Sequence, residues 1–140
     1  MTITRTSFRK AAYLTLAISV LVVVGMCMII LGPRYTMKFA AAWSVQIAVA
    51  YLAMIGIIEG VGVRFRASLV QSLAGIGFSF LVFMTGIVAG SATTMLLERD
   101  MDVHSYVLKP LFWVGFYGFL PAMIIGLRGS AHLRKIGQRQ

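Results

Sequence analysis

Residues 11–31 read AAYLTLAISVLVVVGMCMIIL, a run without a single charged side chain. At 1.5 Å per residue such a run is about 30 Å long as a helix, the thickness of a bilayer's hydrocarbon core. Hydrocarbon offers no partner to a free backbone N–H or C=O, so the run must be helical to lie there. Around it, 59% of the 140 residues are hydrophobic and only 12% are charged. A soluble domain is nearer half apolar and a quarter charged. No soluble fold of this length hides that much apolar surface, and the class is integral membrane. The length allows one domain, residues 1–140, with no soluble domain beside it.

Three further apolar runs come after it. Gly32-Pro33 ends the first. The second is read over residues 39–58, closed by Glu59-Gly60, the third over 68–90, and the fourth over 107–127. The expected fold is all-α, a bundle of four transmembrane helices. Strand alternation suited to a barrel is absent.

The basic residues orient the bundle. Arg5, Arg9 and Lys10 precede the first span. Arg64 and Arg66 lie between the second and third, and Arg128, Arg134, Lys135 and Arg139 come after the fourth. These are nine of the 13 Lys and Arg. Arg34, Lys38, Arg99 and Lys109 fall on the other side, beside Glu98, Asp100 and Asp102. Both termini are therefore expected in the cytoplasm, with the acidic 98–102 segment outside, in a multi-pass protein of a bacterial-type inner membrane. The net charge of +9 is placed at helix ends, as insertion requires, so nucleic-acid binding is not indicated. Contact with anionic lipid headgroups is.

The lone Cys27 excludes an internal disulfide and any multi-cysteine metal site. Val24-Gly25-Met26-Cys27 is a poor lipoprotein signal, because Met26 is too large and the apolar run continues past it. No small-x-small site marks a removed signal peptide.

Helices associate in lipid through small residues. The second span aligns Ala40, Ser44, Ala48, Gly56 and Gly60. The third carries Ser68, Ser72, Gly75, Ser79 and Gly86-x-x-x-Gly90, and the fourth Gly118, Ala122 and Gly126. So small a bundle has few interior positions, and some of these faces should point outward. Tyr35, Trp43, Tyr106, Phe112 and Trp113 gather toward the expected outer interface as an aromatic belt.

Catalysis needs convergent titratable groups. His104 and His132 fall on opposite sides. Three of the four carboxylates share one loop and Glu59 lies at the other face. No phosphate-cradling glycine loop occurs. No catalytic residue, metal ligand or cofactor site is indicated, and the chain is not expected to be an enzyme. The candidate intramembrane polar groups are Gln46 and Gln71, with Glu59 at the edge, where it is expected to pair with Arg64 or Arg66. Pro121, downstream of Gly115 and Gly118, is expected to bend the fourth helix.

Arg34-Tyr35, then Trp43 and Gln46, then Gly60-Val61-Gly62-Val63-Arg64-Phe65-Arg66, and later Trp113, Tyr117 and Leu120-Pro121 before a basic segment, form a pattern. It resembles the small four-helix membrane subunit of tripartite ATP-independent periplasmic (TRAP) transporters. Gln46 stands where that family has a Glu, and the basic loop lacks its His. The resemblance implies a non-catalytic subunit that braces a larger multi-span transporter of organic anions, served by a periplasmic binding protein. It makes Arg34, Tyr35, Trp43, Gln46, Trp113 and Pro121 candidate partner-contact or interfacial residues. Two other functions suit the composition. One is a stand-alone homo-oligomeric channel or carrier with Gln46 and Gln71 along its path. The other is an assembly, exclusion or immunity factor acting on another membrane protein.

Overall fold

A computed structural model describes residues 3–139. The described residues are mostly helical, with no strand among them. Helix α1 spans Arg5–Leu31, α2 Pro33–Ala42, α3 Ser44–Ile57, α4 Val63–Phe65, α5 Ser72–Glu98 and α6 Lys109–Gly137. Wider π-turns at Ile58–Gly62 and His104–Leu108 lead into α4 and α6, and a 3-10 turn at Ser68–Val70 precedes α5. Four continuous helical runs are long and apolar enough to cross a membrane: Arg5–Leu31, Ser44–Phe65, Ser72–Glu98 and His104–Gly137.

The end of the first span at Leu31 agrees with the sequence reading, and each span differs from it at one end or both. Gly32 does stop α1, in a left-handed conformation (φ +82°) that suits glycine. The chain beyond it forms a second helix rather than a turn. Pro33 occupies the first turn of that helix, where a fixed φ and a missing N–H cost nothing. Trp43 (φ −107°, ψ 19°) then interrupts the helical path, so the second span begins at Ser44 and not at residue 39. Glu59-Gly60 does not end that span. The helix widens into the π-turn and continues to Phe65. The third helix starts late, because Gln71 is extended (ψ 133°), and runs on to Glu98. The fourth does not stop at residue 127. It passes unbroken through Pro121 and reaches Gly137, so Arg128, His132, Arg134 and Lys135 are helical rather than a loose tail.

Neighbouring helices run antiparallel. Helix α5 is central, packed on α3 and most closely on α6, and α1 lies against α6. The start of α1, the end of α3, the start of α5 and the end of α6 share one end of the bundle, the proximal end. The 32–43 and 99–103 connections lie at the other, distal end. The small residues explain the close pairs. A Cβ placed on Gly126 would stand 2.6 Å from the Ile76 Cα and 2.7 Å from the Gly75 carbonyl oxygen. At Gly90 it would meet the Ala50 Cβ and the Gln46 carbonyl oxygen, both at 3.6 Å.

The buried hydrophobic cluster lies at the proximal end. Ile3, Phe8, Ala11, Ile58, Val63, Leu69 and Leu133 form one buried cluster. Two polar groups hold it closed. The Ser130 hydroxyl, 1% exposed, donates to the Leu69 carbonyl at 2.9 Å and the Gln71 carbonyl at 3.3 Å. Arg66 donates to the carbonyls of Ile3 and Val63, each at 2.8 Å.

Candidate functional site

Beyond that cluster, α1 parts from its neighbours. It packs on α6 and, at its base, on α4 and the Ile58–Gly62 turn, with no comparable contact along α3. Its distal half is largely bare, with Ile29 86% exposed. The gap left behind is a cleft of about 370 Å3. Its floor is the proximal cluster. Phe8 to Val23 of α1 form one wall, Tyr51 and Met54 of α3 another, Phe78 to Phe83 of α5 the back, and Pro121 to Leu133 of α6 the remaining side. Among the described residues no Asp, Glu, Lys, Arg or His lines it. Its polar groups are hydroxyls: Thr15, Ser19, Tyr51, Ser79 and Ser130. Thr15 and Ser19 donate back to their own helix, to the carbonyls of Ala11 and Thr15, at 2.8 Å each.

The mouth between α1 and α3 is fastened at its base. Glu59 accepts from Arg9 Nη2 at 2.6 Å and Nε at 2.9 Å, and from the Tyr13 hydroxyl at 2.6 Å. The expected pairing of Glu59 with Arg64 or Arg66 is thus wrong. Arg66 turns to backbone carbonyls, and Arg9 approaches Glu59 from fifty residues away. The π-turn carries Glu59, and such insertions often mark places where a helix is adapted to a task. Arg9 and Tyr13 sit one helical turn apart on one face of α1, which is the spacing needed to grip one carboxylate twice.

The candidate polar pair does not assemble. Gln46, half-buried in the first turn of α3, is distal and leans on α5 near Gly90. Gln71 is exposed at the proximal start of α5, where its carbonyl rather than its amide is used. It lies outside the helix, not within a span.

Arg34, Tyr35 and Trp43 stay together on and beside α2, none of whose residues is buried. Tyr35, Phe39 and Trp43 lie on one i+4 line, and the Phe39 and Trp43 rings stack at 5.9 Å. Arg34 and Lys38 occupy the adjacent line, without an ion-pair partner among the described residues. Trp113 is likewise outward-facing, stacked on Tyr117 at 6.3 Å and edge-on to Phe112 at 5.5 Å. Pro121 lines the cleft.

The distal loop is tied separately. Tyr106 donates to Glu98. The hydroxyl and backbone N–H of Ser105 hold Asp102 ionised, keeping its carboxyl below the usual range. A depressed carboxylate stabilises the folded loop above its unfolded pKa, and that support is lost as pH falls through the lower folded value. Asp102→Asn should therefore flatten the acid limb, below about pH 4, of a thermal-midpoint profile that declines in the native protein.

Two contributors escaped the sequence reading. The Arg9–Tyr13 grip had only its i+4 spacing as a signal. Ser130 had a better one, since it extends the Gly118, Ala122, Gly126 line by one more turn.

No protein family model matches the chain, and neither a curated protein nor a solved structure was found to be similar to it.

Proposed function

We propose that the chain is a non-catalytic, four-span membrane subunit that docks on a larger membrane protein, with a secondary transporter of organic anions as the setting. One observation carries the docking. The small-residue stripe of the second span is not used inside the bundle. Ser44, Ala48, Gly56 and Gly60 of that span are all exposed, while Ala40 falls on α2 beyond the Trp43 break, and nothing lies within 4 Å of a Cβ placed on Gly56 or Gly60. The corresponding glycines of α5 and α6 are consumed by each other and by α3. A helix face built for close approach and left bare suits another helix better than lipid tails, which gain nothing from its flatness.

The transport setting rests on the resemblance in the Arg34-Tyr35, Trp43 and Trp113–Pro121 segments. A periplasmic binding protein would be a partner of the whole complex, with α2 and its Arg34 on the outer rim. The channel reading is disfavoured by the placement of Gln46 and Gln71 at opposite ends.

A mild-detergent pulldown of the tagged protein should recover a multi-span protein much larger than itself. Gly56→Leu should reduce that recovery at least about tenfold, a change of about 1.4 kcal/mol, while leaving the thermal midpoint of the isolated chain unmoved. Recovery of a homo-oligomer alone, conducting ions or solute in liposomes, sinks the proposal. The orientation, both termini cytoplasmic and the acidic loop outside, is inferred from the basic residues. A membrane-impermeant thiol reagent should modify an Asp100→Cys variant from outside intact cells; modification only after the cytoplasmic face is opened reverses it.

A further inference from the structure

We propose that α2 lies along the distal surface of the membrane and holds anionic phospholipid there, with its aromatic line among the glycerol and upper acyl groups and its basic line on the phosphates. This requires the bundle to lie in a membrane, but it holds with or without a docked partner.

The backbone sets α2 apart at both ends. Gly32 (φ +82°) turns the path away from α1, and Trp43 (φ −107°, ψ 19°) turns it again before α3. The segment leaves the distal end of one span and returns to the distal end of the next. Its ten residues cover about 15 Å as a helix, more than the roughly 8–10 Å between packed helices. That length suits a bridge from α1 to α3, which share no comparable contact of their own. A helix laid back along α1 would be covered on one side. In α2 Thr36 alone is even half-buried, and every other residue is exposed.

Neither water nor hydrocarbon suits what α2 carries. Tyr35 is 71% and Phe39 57% exposed, and with Trp43 they form one aromatic line at helical spacing. Water leaves that apolar surface unburied. Arg34 and Lys38, also exposed, form the adjoining line, and hydrocarbon is costly for both charges. The boundary between the two media serves each line at once, and Tyr and Trp rings concentrate there. The second span starts at the residue after Trp43. The aromatic line therefore ends where the chain enters the hydrocarbon, which favours a leaflet over a water-borne protein as its cover.

The sign of the headgroup comes from charge. Insertion accounts for the basic residues of the proximal end, but Arg34 and Lys38 lie where it asks for none. No acidic residue precedes Glu59 in the sequence, and neither cation has an ion-pair partner among the described residues. Like charges four residues apart repel on a bare helix. A phosphate taken between them removes that repulsion, and a headgroup without a cation of its own does so most fully.

The test uses the purified full-length protein in vesicles. A Trp113→Phe variant leaves Trp43 as the single tryptophan, and its fluorescence is quenched by phospholipids brominated at chosen depths. Bromine near the glycerol should quench more strongly than bromine near the chain end. In mixed vesicles brominated phosphatidylglycerol should be preferred over brominated phosphatidylcholine by at least about fivefold, the factor one basic residue contributes at an anionic surface. Arg34→Gln with Lys38→Gln should abolish that preference and leave the thermal midpoint unmoved.

Equal quenching by the two lipids overturns the proposal, as does a preference that survives the double change. Quenching strongest from the chain end also overturns it, by placing α2 within the hydrocarbon. Free access of aqueous acrylamide to Trp43, with no effect of brominated lipid, overturns it in favour of a protein surface as the occupant. Should Trp113→Phe not fold, the difference between the native protein and Trp43→Phe gives the same readings.

Discussion

Gly126→Leu will dissolve the pairing of α5 with α6, on which the bundle depends. Inserting side-chain atoms into a packed interior ordinarily costs about 1–3 kcal/mol, because neighbouring side chains shift. Here the atoms in the way are the Ile76 Cα and nitrogen and the Gly75 carbonyl oxygen, all within 2.8 Å of even a first Cβ. Backbone of a 27-residue helix cannot swing aside as a flexible side chain does. The helices must separate, and with them goes the contact that positions Ser130 against Leu69. The expected cost is at least about 3 kcal/mol, read as a fall of about 10 °C or more in the thermal midpoint in detergent. Gly126→Ala should already show a smaller loss of the same kind. Gly56→Leu is the control, since that position faces open space. Equal midpoints for Gly126→Leu and Gly56→Leu would mean that α5 and α6 do not approach as described.

The all-helical fold and the number of long apolar helices were legible because hydropathy is a property of the run itself. The ends were not, because they depend on what the run meets. Glu59 reads as a terminator when taken alone: a charge and a glycine after twenty apolar residues. In the structure Arg9 and Tyr13 satisfy its carboxylate, and the helix continues past it. That partner lies fifty residues away, beyond any local pattern. The basic segment after Leu127 reads as a tail because its hydropathy falls. Polar residues do not break a helix, however, and Ser130 and Leu133 continue the buried face of α6 at helical spacing. Gly32-Pro33 reads as a stop, and half of that is right. The left-handed glycine ends one helix, and the proline at once starts the next. Trp43 gives no warning of its break, and nothing in its side chain demands one. The cleft was not legible at all. It arises from where α1 fails to pack, and a stripe such as Thr15, Ser19 and Val23 looks the same whether or not it finds a neighbour.

The junction of Gly75, Gly126 and Ser130 makes the second large prediction, and a double-mutant cycle is the way to read it. Ser130 is fully buried, and its hydroxyl binds carbonyls where the chain leaves the 3-10 turn. Ser130→Ala strands the Leu69 carbonyl, at about 1–3 kcal/mol. Gly75→Ala attacks the same bond from the other side, because its new methyl would take the space of the Ser130 hydroxyl and stand 3.0 Å from the Gly126 carbonyl oxygen. The single change therefore carries both a clash and a lost hydrogen bond. In a Ser130→Gly background the obstacle is gone, and Gly75→Ala should cost less by about 0.5–3 kcal/mol, the range for residues in direct contact. The lower helix propensity of glycine at position 130, about 1 kcal/mol against alanine, enters both arms of the cycle and cancels. Chemical denaturation of the four proteins in one detergent measures the coupling. A coupling near zero would place Ser130 away from Gly75 and would remove the fastening of α6 to the start of α5. A clear coupling fixes the rotation of α6 about its axis, and with it which residues, Pro121 and Ala122 among them, face the cleft.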